Sequence, residues 1–470
     1  MIQLNLNIHP GKFTTMNTLK TTLSIFAISA IISSCTQSQG KEPVASAALS
    51  EKGALAIPKM QDRTVDIGAP EELDHLLDVY DKSRIKLEKN PMDWDAWLRM
   101  SEAFITEARV TGTHGYNYDQ ALNILDHVLA QTGLKKDVKG QGITLKATIL
   151  LSQHQFSDAL VLGKEAVKLD PYRAYNYGVL VDAYTELGYY DSAVVMCDKM
   201  VSTRPDLRSY SRVSYQREIH GDVPGAIEAM DLAVKAGAQG LEETSWCRVQ
   251  LGGLYERSGQ LEKAREQYAL ALSERKNYAF AIAGLGRLEG KKKNYPEAEK
   301  QLMAAVAVTP DASFYEELAR VYSAQGKTEQ RDEAVRNAGK VLVGLTKGGE
   351  GHTHQVGLEM ARFQLEFLNN IDNAMTNAEH EFTHRPTNND VNTALAAVNY
   401  AKGDLTAAAK FIAVAQHTGS KDPYLMTLNG LVLVKQGDAA KGKQLILESL
   451  KADPYQNHAF AAEAKKLVQG

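Results

Sequence analysis

The stretch FSDALVLGKEAVKLDP, residues 156–171, returns one period later as YDSAVVMCDKMVSTRP, residues 190–205. The pattern continues in VPGAIEAMDLAVKAG (223–237), LEKAREQYALALSER (261–275) and YPEAEKQLMAAVAVTP (295–310). A small residue holds the same place in each, at Ala159, Ala193, Ala226, Ala264 and Ala298, with intervals of 34, 33, 38 and 34 residues. Prolines close several units, at Pro171, Pro205, Pro310, Pro386 and Pro454; the first pair lies 34 apart and the last pair 68. Self-similarity at a period of about 20 to 50 residues marks a stack of supersecondary units, none of which hides its apolar side alone.

Each unit reads as two antiparallel helices. Before the small slot, Tyr177, Leu180, Val181 and Tyr184 recur at helical spacing, and later units offer Tyr210 with Val213, Leu251 with Tyr255, and Leu285 with Gly286. Between the helices stands a glycine, at Gly188, Gly221, Gly259, Gly403 and Gly437, five residues ahead of the slot, where a helix can end in the left-handed conformation. The small residue then lets the second helix approach the first, and proline ends the pair because it cannot continue a helix. These residues resemble tetratricopeptide repeats, and the likeness runs from about Asn90 to the C-terminus. It implies an all-α, right-handed α-solenoid of about ten helix hairpins with capping helices.

The clearest units span 140–310 and 355–454, so the expected organisation is an array over 94–343, a Gly/His-rich break at 344–354 (GLTKGGEGHTH), and a second array over 355–454. The unit Ser313–Val343 is the weakest, since Arg331 takes its small slot. Ala108–Asp119, ARVTGTHGYNYD, reads as an insertion between the helices of the first unit. Residues 69–93 and 455–470 read as terminal capping helices, which supply the polar outer faces that end repeats need.

The N-terminus reads as a targeting segment. Lys20 precedes the apolar run Leu23–Ile32, and ISSC at 32–35 resembles a bacterial lipobox. That resemblance implies cleavage after residue 34 and lipidation of Cys35, with Met16 as the natural initiator. Thr36, in place of an aspartate-type retention signal, points to the outer membrane. Residues 35–68, rich in Ser, Ala, Gly, Gln and Lys, read as a flexible tether. More narrowly, residues 209–237 with 242–264 are similar to exported bacterial tetratricopeptide lipoproteins of undefined activity.

With 53 basic and 57 acidic residues, the formal charge of −4 provides no basic face for nucleic acid. Lys291, Lys292 and Lys293 read as a solvated loop. Cys197 and Cys247 sit in units too far apart to bridge and read as packing residues. GLGRLEG, 284–290, does not match the dinucleotide fingerprint and has no strand before it.

HEFTH, His380 to His384, matches the H-E-x-x-H pattern of zinc hydrolases, with Glu381 as the would-be base. Its register puts it at the end of a second helix with no third ligand beyond it, so no enzyme is expected. A milder alternative is a metal-binding envelope protein: His352 and His354 enter the same unit that His380 and His384 leave, and four imidazoles suit a divalent ion. The favoured expectation is a membrane-anchored scaffold. The repeat resemblance implies a protein or peptide partner in the concave groove, which is analogy at the level of the fold. Positions offset from the apolar anchors supply a lining with aromatic Tyr175, Tyr215, Trp246, Phe280 and Phe363, and charged Asp182, Glu218, Glu256, Arg287, Lys291 and Glu359.

Overall fold

The computed structural model describes residues 55–63, 65–346 and 356–469. All lie within the unit Ala47–Gly470. After α1 (Pro70–Lys89), ten helix hairpins follow among the described residues. The first five are α2 (Trp94–Thr111) with α3 (His114–Leu129), α4 (Lys136–Ser152) with α5 (Phe156–Leu169), α6 (Ala174–Glu186) with α7 (Tyr190–Thr203), α8 (Leu207–Ile219) with α9 (Val223–Ala236), and α10 (Glu242–Arg257) with α11 (Leu261–Glu274). The next five are α12 (Ala279–Lys291) with α13 (Tyr295–Val308), α14 (Ala312–Ala324) with α15 (Thr328–Thr346), α16 (Gly357–Glu366) with α17 (Ile371–His384), α18 (Asn389–Lys402) with α19 (Leu405–Ala415), and α20 (Pro423–Lys435) with α21 (Ala439–Ala452). A last helix, α22 (Ala461–Gln469), closes the chain.

The third hairpin shows why these residues fold so. α6 buries Tyr177, Leu180 and Val181, then stops where the Tyr189 N–H donates to the Tyr184 carbonyl at 2.8 Å across Gly188. α7 turns back and seats Ala193, wholly inaccessible, with Cys197 and Met200 against it. On the other side Gly163 of α5 sits so close to α6 that a Cβ there would lie 2.8 Å from Leu180. Each hairpin therefore buries both of its sides, one internally and one against its neighbour. A buried Leu or Val contributes about 1.5–3 kcal/mol, so the stack holds only as a stack.

Three expectations change. Residues 108–119 are not an insertion: α2 runs on to Thr111, only Gly112 and Thr113 intervene, and Asn117 and Tyr118 are buried in α3. The polar and aromatic residues that looked like loop belong to a longer pair of helices. The described part of the tether, residues 55–63 and 65–68, is docked. Met60 is buried, the Tyr80 hydroxyl donates to the Pro58 carbonyl at 2.9 Å, and the Tyr116 hydroxyl donates to that of Lys59 at 2.6 Å. Arg63 makes a two-pronged, buried pair with Glu107 at 2.7 and 2.8 Å. The unit with Arg331 in its small slot is an ordinary hairpin, because that side chain reaches out to donate to the Phe367 carbonyl at 3.2 Å while Val335 and Ala338 fill the contact. Residues 1–54, including Cys35 and the leader, and 347–355, including His352 and His354, lie outside the described residues.

The stack winds back upon itself. Contacts recur at a nearly constant separation of about six repeats, since six periods of 34 residues make 204. Near the start, the Asn277 amide donates to the Asp66 carbonyl at 2.7 Å and Arg275 pairs with Glu72 at 2.7 Å. Further on, the Asn388 amide donates to the Glu186 carbonyl at 3.0 Å, the Asn389 N–H donates to the Tyr190 hydroxyl at 2.8 Å, and the Thr418 hydroxyl donates to the Ile219 carbonyl at 2.8 Å. A shorter span of 162 residues joins Lys291 to Asp453 at 3.5 Å. The turns inside the earlier hairpins thus rest on the loops between the later ones. A seam closes the concave groove into a lumen.

Candidate functional site

First helices of successive hairpins contact one another, α2 with α4 and α4 with α6 among them, so they form the inner wall. A cavity of about 910 Å³ opens inside it, lined from α2, α4, α6, α8, α10 and α12 and closed by residues at the end of α15 and the start of α16. Seven of the eleven candidate residues face it: Tyr175, Asp182, Tyr215, Glu218, Trp246, Phe280 and Glu359. Tyr215 and Trp246 are 41 % exposed and Phe280 is 42 % exposed, and that exposure is toward the lumen. Such aromatics offer large contact area at small cost in side-chain entropy, the property of binding hot spots.

The other four are structural. Phe363 is buried in the core of the seventh and eighth hairpins. Glu256, 5 % exposed, accepts from the Tyr268 hydroxyl at 2.8 Å and from Arg287 at 3.2 Å, with Lys291 at 3.8 Å. Burial pushes the Glu256 carboxyl up, but Arg287 and Lys291 outweigh it and hold the group below its ordinary value. The network knits α10, α11 and α12 together.

Sequence reasoning missed the charged partners of the wall. Arg212 on α8 grips Asp182 on α6 at 2.8 and 2.5 Å, and Arg257 on α10 holds Glu218 on α8 at 2.6 Å. Arg208 on α8 reaches Glu243 on α10 at 3.1 Å, and Arg362 on α16 reaches Asp390 on α18 at 2.8 Å. Each pair joins first helices of neighbouring hairpins. A signal existed, an acid and an arginine 28 to 39 residues apart, about one repeat, but it shows only when two repeats are superposed. Arg109 was hidden in the segment read as an insertion. Burial, then Glu186 and Asp390, drive the Tyr215 phenol well above its ordinary value, so it stays a neutral hydrogen-bond donor in the lumen.

The HEFTH motif points two ways. His380 and His384 are exposed on α17 with ring centroids 5.0 Å apart. Glu381 turns inward, 4 % exposed, and accepts from Arg385 Nε at 2.8 Å. Its carboxylate is occupied by a guanidinium that also reaches Glu186 at 3.1 Å across the seam. Among the described residues no three His, Cys, Asp or Glu side chains gather at one point. Cys197 and Cys247 are buried thiols, raised by burial to about 11 and about 12. No helix of the described residues is long and apolar enough to cross a membrane.

This is a helix-hairpin repeat of tetratricopeptide architecture. No family model matches the chain, and no curated protein does. Among solved structures it is similar to the APC/C hetero-tetramer Cut9–Hcn1, at 16% identity over 77% of this chain and 69% of that one, with a TM-score of 0.43. It is also similar to the human IFIT1 dimer with PPP-AAAA, at 14% identity over 80% and 94%, TM-score 0.42. TTC0263, a thermophilic TPR protein of Thermus thermophilus, matches at 22% identity over 37% and 91%, TM-score 0.32. The repeat architecture stands on the ten hairpins themselves.

Proposed function

We propose that this chain is a non-enzymatic scaffold that takes an extended segment of a partner protein into its lumen, held at the cell envelope by lipid on Cys35. The observation that carries the first part is the trio Tyr215, Trp246 and Phe280, left about two-fifths exposed inside a wall whose charged side chains are largely paired with one another. Aromatic area kept open at the centre of a concave surface is what a binding site needs and a packing surface does not. The lipid part rests on ISSC and the apolar run before it. With the partner in the lumen and the lipid on Cys35, at the N-terminal end of the 35–68 segment, the scaffold would hold its client close to a membrane face, the outer membrane by the sorting argument from Thr36.

The test is photo-crosslinking in intact cells with benzoylphenylalanine placed at Phe280, and as a control at Val161, which is 65 % exposed on α5. A species captured at Phe280 alone, and lost with Trp246→Ala, supports the reading. The same species at both positions, or capture indifferent to Trp246, overturns it. Replacing Cys35 by Ser should abolish incorporation of labelled palmitate; retained label removes the anchor.

A second reading, metal handling, has one observation in its favour: the exposed, adjacent imidazoles of His380 and His384. An i, i+4 histidine pair can chelate a divalent ion. Zinc should then raise the melting temperature of the wild type and not that of a His380→Ala, His384→Ala variant. Equal responses dispose of it.

A further inference from the structure

A second cavity, about 620 Å³, adjoins the lumen and shares Arg109, Tyr175 and Arg208 with it. Its remaining wall includes Arg173 and Arg204, and its floor is apolar, made by Ile105, Leu145 and Met200. Three guanidiniums, Arg109, Arg208 and Arg212, act on the Tyr175 phenol, and Arg173 and Arg204 line the same cavity.

Most of these charges are matched. Arg204 pairs with Asp206 at 3.0 Å, Arg208 with Glu243 at 3.1 Å and Arg212 with Asp182 at 2.5 Å, while Glu102, in the same wall, accepts from the neutral Gln141 amide at 3.0 Å and keeps its negative charge. Among the described residues neither Arg109 nor Arg173 has a carboxylate at ion-pair distance; Arg109 is met by the Tyr175 phenol, with Glu242 adding a weaker pull. Arg208 also lies over the Tyr175 ring, 5.2 Å from its centroid. The phenol registers the excess positive charge. Burial alone would push it up, yet Arg109, the Thr148 hydroxyl at 3.3 Å, Arg208 and Arg212 together bring it below the ordinary tyrosine value. Tyr172, 88 % exposed, stands in the wall of the same cavity.

We propose that this cleft takes an acidic, extended peptide segment of the partner, its carboxylates on Arg109, Arg173 and Arg208 and an apolar side chain over Ile105, Leu145 and Met200. The proposal rests on the lumen reading above and names the chemistry of what enters there. Two guanidiniums with no carboxylate partner, beside a stacked third, favour planar, two-oxygen anions, which arginine meets with a fork of N–H donors. The apolar floor favours a peptide over a bare anion, because a segment with alternating acidic and apolar side chains satisfies both surfaces at once. The whole chain is slightly acidic, at −4, so attraction of an acidic partner is local to this cleft and not a property of the surface at large.

The experiment uses the full-length chain and a fluorescein-labelled dodecapeptide of glutamates around a single phenylalanine, read by fluorescence anisotropy. The same peptide with every glutamate replaced by glutamine, and a labelled oligoadenylate RNA of equal length, serve as comparisons. Expected is an acidic peptide binding about tenfold or more tighter than its glutamine version, with affinity falling as salt is added. An Arg109→Gln, Arg173→Gln variant should lose about the same factor while its thermal melt stays put, and Arg84→Gln, in an exposed pair on α1, should change nothing. Equal binding of the acidic and glutamine peptides overturns the proposal, as does a double variant that binds like the wild type. RNA that binds as tightly and displaces the peptide overturns it in favour of a phosphate site. If the acidic peptide fails but Phe280 still captures a Trp246-dependent partner, the cleft assignment falls and the lumen reading stands. If neither occurs, both fall.

Discussion

Gly188 has two tasks, and only one could be read from the sequence. Its φ of +80° is the left-handed end of α6, which an L side chain adopts at a cost of about 1–2 kcal/mol. It is also where the earlier winding touches the later one: a Cβ there would lie 2.5 Å from the backbone nitrogen of Asn388. Gly403 supplies the control, with a φ of +84° and nothing within 4 Å of its would-be Cβ. Gly403→Ala should therefore lower stability by about 1 kcal/mol, from backbone strain alone. Gly188→Ala should cost at least about twice that, because the seam must shift as well. Urea midpoints of the two variants check this, and equal losses would show that the windings do not press together at Asn388. The turn glycines were legible because their partner, the small slot, lies five residues on. The contact with Asn388 was not, because nothing local in either segment points 200 residues away.

At the scale of the helices, the hairpins were plain in the sequence and the division of labour on their inner face was only partly so. Offsets from the apolar stripe find residues on the correct side of a first helix, which is why Trp246 and Phe280 were found. They do not separate a side chain that ends in the lumen from one that bends into a neighbouring helix, and Glu256, Arg287 and Lys291 are of the second kind. Their distinguishing partner, the Tyr268 hydroxyl, sits on a second helix, where the stripe argument did not look. The two kinds should part under mutation. Glu256→Ala strands Tyr268 and Arg287 while Lys291 keeps Asp453, and removing one member of a buried ionic network costs about 3 kcal/mol, somewhat less here because the Arg287 side chain is 27 % exposed. Trp246→Ala leaves no polar group without a partner and should change stability by less than about 1 kcal/mol while abolishing capture of a partner at Phe280. Thermal melts and crosslinking yields measured on both variants decide it. Loss of stability with Trp246→Ala equal to that with Glu256→Ala would mean that the lumen aromatics are core.

For the molecule as a whole, the seam is the feature that no single repeat contains. A small rotation per hairpin accumulates until the seventh unit returns to the first, so closure is set by the sum of the repeats and by no motif. Its most sensitive contact joins Arg385 to Glu186, and it carries a titration. Burial lifts the Glu186 carboxyl to about 7 against the opposing pull of Arg385, with Asp390, Asp182 and Glu359 adding to the rise. Its ordinary value is 4.5, so between about pH 4.5 and 7 the folded chain holds a proton that the unfolded chain has released. Stability from this group is thus fully present below pH 4.5 and declines as pH rises through 7. With the side chain 31 % exposed, the change across the window is discounted to roughly 2 kcal/mol. Other groups titrate in the same range, Glu316 and His458 with the large shifts. Glu316, also lifted to about 7 by burial, works in the same sense, while His458, pushed down to about 4 by burial, loses stability as pH falls below 6.5. Both remain in a Glu186→Gln variant, so the difference between variant and wild type isolates the seam. Melting temperatures taken from pH 5 to 8 should fall less steeply toward high pH in Glu186→Gln than in the wild type. Parallel curves would mean that Glu186 titrates as a solvated carboxyl and that the windings do not enclose it.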